Sequence, residues 1–467
     1  MSEFSRFKAI SPLDFRYWDR DASSLLSEEY FIIRKLYVEF ALATVLCRRG
    51  LIDKAAFDEI AAACFGASAV TAEEVYEEER RIGHDIRALA NCIQRRVSDR
   101  AKPYVHLMAT SQDIIDTANA SRYWQAIQNL LLPRLLELES ALITIAEREA
   151  ETLQIGRTHG QHAVPITFGF AMAGYVSRLG NCIEEIKALA SRIRGKFSGA
   201  VGAYNALKLL FDDPEVVESE VLAELGIKPA EHSTQIVQPE ALMRLLHEVV
   251  LAMGIMANLA DDMRNLSRPE IAEVGEAFGP DQVGSSTMPH KRNPIHFERV
   301  KSFWKIVMPR YTTLFLDQLS EHQRDGTNLA SSRTYPEALG YATFAAHEAA
   351  QAMRGLSVYR EKCQKNLELS RGSIMAEPLY VSLAVHGHPD AHEKVRQLTL
   401  KAERSKNMLM EIAEADPELK PYWEKMTARQ EGLLFSLPSL SPSLYTGIAA
   451  GKARKIAAEW KEKLGLK

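Results

Sequence analysis

From Ala241 to Leu266 the chain sets Leu242, Leu246, Val249, Met253, Met256, Ala260 and Met263 at alternating intervals of four and three. That period gathers all of them on one stripe of an α-helix and suits no β-strand. A helix so long must lay such a stripe against other long helices. Leu131, Leu135, Leu138, Leu142 and Ile145 repeat the spacing. Pro133 lies near the expected start of that second helix, where a missing N–H costs little. Both stripes read most simply as the core of a bundle. Strand-like alternation is scarce elsewhere, so the expected fold is all-α, built on a long central helical bundle.

At 467 residues the chain is too long for one ordinary domain. Breaks near Lys102–Pro103 and between Arg354 and Lys362 suggest three segments. These are an N-terminal helical domain (1–103), a central long-helix bundle (104–358) and a C-terminal helical domain (359–467). The formal net charge of −4 argues against a nucleic-acid partner, which calls for a basic face. Any anionic ligand must then be held by local cations. Cys47, Cys64, Cys92, Cys182 and Cys363 are scattered without a CxxC pair, as reduced packing thiols of a cytoplasmic protein would be. The N-terminal stretch lacks the apolar core of a signal peptide. No run of about 18 apolar residues stands out as a bilayer span, so no membrane partner is expected.

Candidate chemistry sits in the breaks between helical patterns. The segment Gly275–Pro294, rich in glycine and proline, carries Ser285, Ser286, Lys291, Arg292 and Asn293. A serine acts as a base only if backbone amides and nearby cations stabilise its alkoxide away from bulk water. A flexible loop can supply both by closing over a ligand. Lys291 and Asn293 suit a carboxylate whose charge grows during reaction. The plainer reading is a polar surface loop.

Arg157-Thr158-His159-Gly160-Gln161-His162 forms a second break, and a histidine there can exchange protons near neutral pH. His159 and His162 have ligand-like spacing, but no carboxylate or cysteine accompanies them as a metal set would require. His84 precedes Asp85, which could orient an imidazole. The charge run EEVYEEERRIG before them reads as a solvated helix face, and His386-Gly387-His388 as a loop. Arg16, Lys291, Arg299, Arg324 and Arg333 are the cations near these segments. Arginine grips carboxylate or phosphate with a two-pronged fork, although each could equally form a surface salt bridge.

Taken together, the segments resemble the fumarase/aspartase superfamily. GSSTMPHKRNP (Gly284–Pro294) is similar to its GSSxMPxKxNP signature. YVHLMATSQDIIDTA, GRTHGQHAVPITFG, SGAVGAYNA and HSTQIV resemble its other conserved regions, in the expected order. Within the superfamily, SPLDFRYWD, GHDIRA, KRNPIHFER and HQRDGTNLASSR resemble segments of the adenylosuccinate lyases, so the likeness covers nearly the whole chain.

The resemblance implies a three-domain fumarase/aspartase-type fold and a carbon–nitrogen lyase. Its substrate would be adenylosuccinate, or the imidazole-carboxamide ribotide analogue, with fumarate as product. Ser285 would take the proton, His159 would protonate the departing nitrogen, and His84 would orient the substrate. Lys291 and Asn293 would stabilise carboxylates. Thr110, Ser111, Thr158 and Gln235 would line the succinyl and base region, with Asp85 and Arg299 as further substrate-binding residues. Arg16, Tyr17, Arg324 and Arg333 would hold the ribose-phosphate end. No cofactor is implied. The family pattern is a homotetramer whose sites combine loops from three subunits.

Three departures bear on the substrate. Leu329 stands where a phosphate-binding serine is usual, with Ser331 and Ser332 nearby. Phe15 replaces a glycine beside Arg16 and Tyr17, and the segment after HSTQIV reads QPE without a basic residue. A sister lyase acting on another N-substituted aspartate or a carboxymuconate is the alternative. A catalytically silent structural relative would have no chemical need for both Ser285 and His159.

Overall fold

The computed structural model describes residues 8–9, 11, 13–17, 19–427 and 441–466. The side chain of Phe15 lies outside the described residues. Two compact units divide the chain: Met1–Leu135, Asn181–Ala257 and Arg299–Glu348 form the first, and Leu136–Gly180, Asn258–Glu298 and Ala349–Lys467 the second. Almost all regular structure is helical, with three short two-stranded sheets among the described residues.

In the first unit, helix Glu28–Arg48 packs against helices Ser111–Ala126, Lys54–Phe65 and Pro214–Ala223. Ser27 starts it as an N-cap, its hydroxyl accepting from the Tyr30 N–H at 3.3 Å. The charge run forms helix Ala72–Ile82, opened by a Thr71–Glu74 capping box and closed by Gly83 at φ +75°. Its expected solvated face is corrected at one position. Glu78 is only 4% exposed. Its carboxylate accepts from Arg81 at 2.7 and 3.0 Å and from Asn91 Nδ2 at 2.7 Å. A carboxylate can be buried there because these donors replace its water.

The stripe around Pro133 also differs from expectation. The α-helix Leu132–Arg148 does start there, with Pro133 as its second residue, but no break precedes it. Helix Ser111–Ala126 runs through a π-helical turn, Ile127–Leu131, directly into Leu132–Arg148. An α-helical path would drive the Pro133 ring into the carbonyl of residue 129, and the wider π turn just before it relieves that clash. The stripe itself is buried, with Leu131, Leu135, Leu138, Leu142 and Ile145 at most 2% exposed.

The opening stripe belongs to helix Glu240–Leu266, where Leu246, Val249, Met253, Met256, Ala260 and Met263 are all buried. By length and composition this helix could cross a membrane, which corrects the expectation that no such segment exists. Half of its most apolar window is buried within the fold. A core helix of a bundle passes the same test because its stripe is continuous.

In the second unit, strands Leu153–Thr158 and Gln161–Thr167 make an antiparallel hairpin where a simple break was expected. Ile155, Leu367, Ile374 and Met375 form the core beneath it. Helices Ala376–Val385, Ala391–Ser405 and Leu409–Glu414 pack around a separate cluster that includes Leu379, Leu383, Val395, Leu398 and Leu409. Helix Ala449–Lys463 brings Trp460 so close to Gly180 that a Cβ there would lie 2.4 Å from the indole. His386 caps the end of helix Ala376–Val385 and His388 lies in the turn beyond it, as expected of a loop: His386 Nδ1 lies 2.7 Å from the Ser382 carbonyl, and His388 Nδ1 accepts from the Asp390 N–H.

Glu139 is fully buried, and neither carboxylate oxygen has a hydrogen-bond partner among the described residues. Burial alone pushes its carboxyl from 4.5 up to about 9. The folded state therefore keeps a proton that the unfolded chain releases above about pH 4.5. The contribution of Glu139 to stability is greatest below that point and falls as pH rises, by up to about 1.4 kcal/mol per unit, until the folded carboxyl itself ionises. Glu139→Leu is expected to raise the melting temperature at pH 8 more than at pH 5, as followed by calorimetry.

Candidate active site

The predicted residues fall into two sets, one in each unit. In the first unit a cavity of about 200 Å³ is lined by Asp85, Arg324 and Arg333. Lys35, Gln112, Asp116, Arg122, Arg194, Leu329 and Ser332 also face it. Five cations outnumber the carboxylates of Asp85, Asp116 and Asp317 that share the lining, so the cavity favours an anion.

The cations are held differently. Arg333 Nη1 bonds Glu28 at 2.8 Å, and Lys35 lies 3.9 Å from Asp85. Arg122 has its guanidinium 3.9 Å from the Phe31 ring centroid, a cation–π contact. Arg194 donates to the carbonyls of Ser191 and Ile193. Arg324 Nη1 donates to Gln235 Oε1 at 3.4 Å, which brings the predicted base-region glutamine to the predicted phosphate arginine. Leu329 lines the cavity yet is 59% exposed. Ser331 gives its hydroxyl to Asp317 at 2.5 Å, whereas Ser332 faces the cavity.

His84 is not inside a helix, so its contact with Asp85 differs from that of two helical neighbours. It is the N-cap of helix Asp85–Gln94. Its Nδ1 accepts from the Arg87 N–H at 3.3 Å and lies 3.5 Å from Asp85 Oδ1. Thr110 and Ser111 stand at the start of helix Ser111–Ala126, where the Thr110 N–H donates to Asp113 at 2.9 Å. Asp113 is itself buried against Lys196 and accepts from the Ser198 N–H, which fixes this helix end. Arg16 and Tyr17 lie on the short helix Asp14–Tyr17, and the Tyr17 ring meets Phe303 edge-on at 5.3 Å. Arg299 pairs with Glu348 at 3.2 Å.

The second unit holds Thr158, His159, Ser285, Lys291 and Asn293. His159 and Gly160 are the two-residue turn of the hairpin, with φ of +54° and +74°. Positive φ at both positions defines the type I′ turn that suits the strand twist. Histidine tolerates this conformation better than bulkier or branched residues, and Gly160 adopts it freely. His159 is thereby presented, exposed, at the tip of a rigid element. His162 pairs across the hairpin with Arg157. Partial burial and the adjacent Arg157 charge lower its pKa. No cluster of three ligating side chains occurs among the described residues.

Ser285 is held by its own loop in a local serine turn. Its Oγ accepts from two backbone N–H groups, Met288 at 3.1 Å and Thr287 at 3.4 Å. Donors aimed at this oxygen stabilise negative charge on it. Asn293 Nδ2 donates to the Gly284 carbonyl at 2.9 Å and closes the loop on itself. A Cβ on Gly284 would lie 2.1 Å from the Lys291 carbonyl, so only glycine fits there. The loop's two ends are tied together as well: Glu276 accepts from the Phe297 N–H at 3.0 Å, at the start of helix Ile295–Leu316. A carboxylate is favoured at that end of a helix.

Glu273 was not legible as a site residue. It is fully buried, and its carboxylate accepts from Gln154 at 2.8 Å, Arg157 at 2.5 and 3.2 Å, and Asn366 at 2.7 Å. It immediately precedes strand Val274–Gly275, from which the Ser285 loop springs. One carboxylate thus anchors the roots of both the hairpin and the loop. Sequence patterning gives a single acidic residue no such signal.

Residues 4–308 match the family described as lyase, and residues 320–429 match adenylosuccinate lyase C-terminal. The adenylosuccinate lyase of Pyrococcus horikoshii is 36% identical, over 96% of this chain and 97% of its own. That of Methanocaldococcus jannaschii is 31% identical, over 94% of each. Among solved structures, fumarate lyase from Mesorhizobium sp. BNC1 superposes with a TM-score of 0.83 at 26% identity, covering 94% of this chain and 98% of that one. The 3-carboxy-cis,cis-muconate lactonizing enzyme of Pseudomonas putida gives 0.84 at 25%, covering 97% and 99%. The order of the motifs, the all-α architecture and these likenesses agree, and the chain belongs to the adenylosuccinate lyase family of the fumarase/aspartase superfamily.

Proposed function

We propose that this protein cleaves adenylosuccinate to fumarate and AMP, and the imidazole-carboxamide ribotide analogue, whose succinyl group is on the carboxamide nitrogen, to fumarate and the free primary carboxamide. The observation that carries the reading is the pair of backbone N–H groups on Ser285 Oγ. Serine needs such donors to serve as a base.

Ser285 takes the proton from the succinyl carbon next to the carbon that bears nitrogen. The electron pair moves into the adjoining carboxylate, which becomes an aci-carboxylate. Lys291 and Asn293 stabilise that added charge. Collapse breaks the carbon–nitrogen bond, and His159 delivers a proton to the leaving nitrogen. His84 and Asp85 orient the substrate with Thr110, Ser111, Thr158, Gln235 and Arg299. Arg16, Tyr17, Arg324 and Arg333 hold the ribose phosphate, with the cationic excess of the cavity in support.

A homotetramer with shared sites, acting in the cytoplasm, completes the proposal. It is supported by apolar side chains left open on helix Ile295–Leu316, where Met308 is 45%, Phe315 47% and Leu316 65% exposed. The domain division into 1–103, 104–358 and 359–467 belongs to the same proposal. Light scattering should give about four times the 52.3 kDa chain mass.

The phosphate reading is tested by comparing adenylosuccinate with its phosphate-free nucleoside. The nucleoside should show a KM at least tenfold higher, as expected for one lost charge-assisted contact or more. Equal KM values would instead favour a lyase for a carboxylated substrate without phosphate. Leu329, at the place of a usual serine, is the residue that motivates this second reading.

A further inference from the structure

We infer that Asp116 is a positioning residue: through the Gln112 amide it sets the hydrogen-bond polarity that holds the Arg324 guanidinium at the cavity. The inference rests on the reading above that Arg324 grips the anionic end of the substrate.

The geometry is a chain of three side chains. Gln112 is only 4% exposed. In the orientation that satisfies its neighbours, its amide nitrogen donates to Asp116 Oδ1 at 3.0 Å. Its amide oxygen then accepts from Arg324 Nη1 at 3.1 Å and Nη2 at 3.0 Å. The other carboxylate oxygen, Asp116 Oδ2, accepts from the Val237 N–H at 2.8 Å. The Arg324 Nε is buried without a hydrogen-bond partner among the described residues, so the guanidinium is held there at its far end.

Polarity follows from the donor inventory. An ionised carboxylate only accepts, and a guanidinium only donates. Between them, Gln112 can satisfy both in one orientation: nitrogen toward Asp116, oxygen toward Arg324. Turned over, it sets acceptor against acceptor and donor against donor. Burial raises the Asp116 carboxyl to about 6, opposed by the Val237 N–H, Lys196 and Arg324. At pH 8 it is ionised and purely an acceptor.

Asp116→Asn is almost isosteric yet reverses this order. The Asn oxygen stays on the Val237 N–H, so its NH2 group faces Gln112. Gln112 must then offer its oxygen to Asn and its NH2 to Arg324, which turns away. Gln112→Glu alone is also unfavourable, because it opposes two carboxylates. Together the two changes restore the order, since a glutamate at 112 accepts from both Asn and Arg324. Two harmful single changes that cancel in combination are not produced by loss of packing.

The test is steady-state kinetics on adenylosuccinate at pH 8 with the full-length protein. Asp116→Asn and Gln112→Glu should each raise KM about tenfold, more than they lower kcat. The double variant should return KM to within about threefold of wild type. Unchanged KM in Asp116→Asn, or a double variant as impaired as its worse parent, overturns the inference. Arg324→Met serves as the reference. If it raises KM while Asp116→Asn does not, only the relay fails; if it leaves KM unchanged, the substrate role of Arg324 fails and the inference with it.

Discussion

Ser285→Ala is expected to lower kcat on adenylosuccinate by about a thousandfold, the usual worth of a positioned general base. The fold should survive, because among the described residues the hydrogen bonds of the Ser285 Oγ are local, from Thr287 and Met288, two and three residues on. A serine is an unfavourable base in water, and its use has to be explained by what surrounds it. Two amide N–H groups already point at the oxygen before any ligand binds. They need no reorganisation when the alkoxide forms, which is why such donors act more strongly than solvent. Ser286 is the built-in control. It is adjacent and exposed, and its hydroxyl has no hydrogen bond among the described residues, so Ser286→Ala should cost less than about tenfold on the same general-base scale. Stopped-flow or initial-rate absorbance on both variants checks the pair. Comparable rates for the two would remove Ser285 as the base.

The second large effect is expected at His159. His159→Ala should lower kcat by about a hundredfold or more, as loss of a general acid does. Added imidazole should recover part of the rate, since the side chain sits exposed at the hairpin tip. The turn itself gives a separate handle. Gly160 has open space around the position of a Cβ, so only its φ of +74° resists substitution. Gly160→Val should therefore strain the turn, as β-branched residues avoid this region, and displace His159 without removing it. That variant should lose kcat with no response to imidazole. Rescue of Gly160→Val, or none for His159→Ala, would contradict a proton-donor role tied to the turn.

Much of this was legible in the sequence, and the reasons are specific. Leu246 to Met263 announce a helix because a stripe at spacings of four and three has one structural solution. Ser285, His159 and Arg324 became candidates through long motifs in a fixed order, not through their own residue types. The hairpin at Thr158–Gln161 was missed because Gly156, Pro165 and a register shift between Ile155 and Arg157 break the alternation of its strands, and a His-Gly turn has the same composition as a loop. The π turn before Pro133 was missed because its residues continue the same apolar stripe. Glu78, Glu139 and Glu273 carry no sequence sign of burial, since a buried carboxylate depends on partners distant in the chain, or has none. The compact units exchange partway along helices, where no glycine or proline cluster marks a boundary.

Proton NMR of adenylosuccinate incubated with the purified protein addresses the central claim most directly. The account predicts that fumarate and AMP appear in equal amounts as substrate disappears, and that Ser285→Ala protein at the same concentration forms almost none. No fumarate from wild-type protein at high concentration, or equal release by Ser285→Ala, would contradict it.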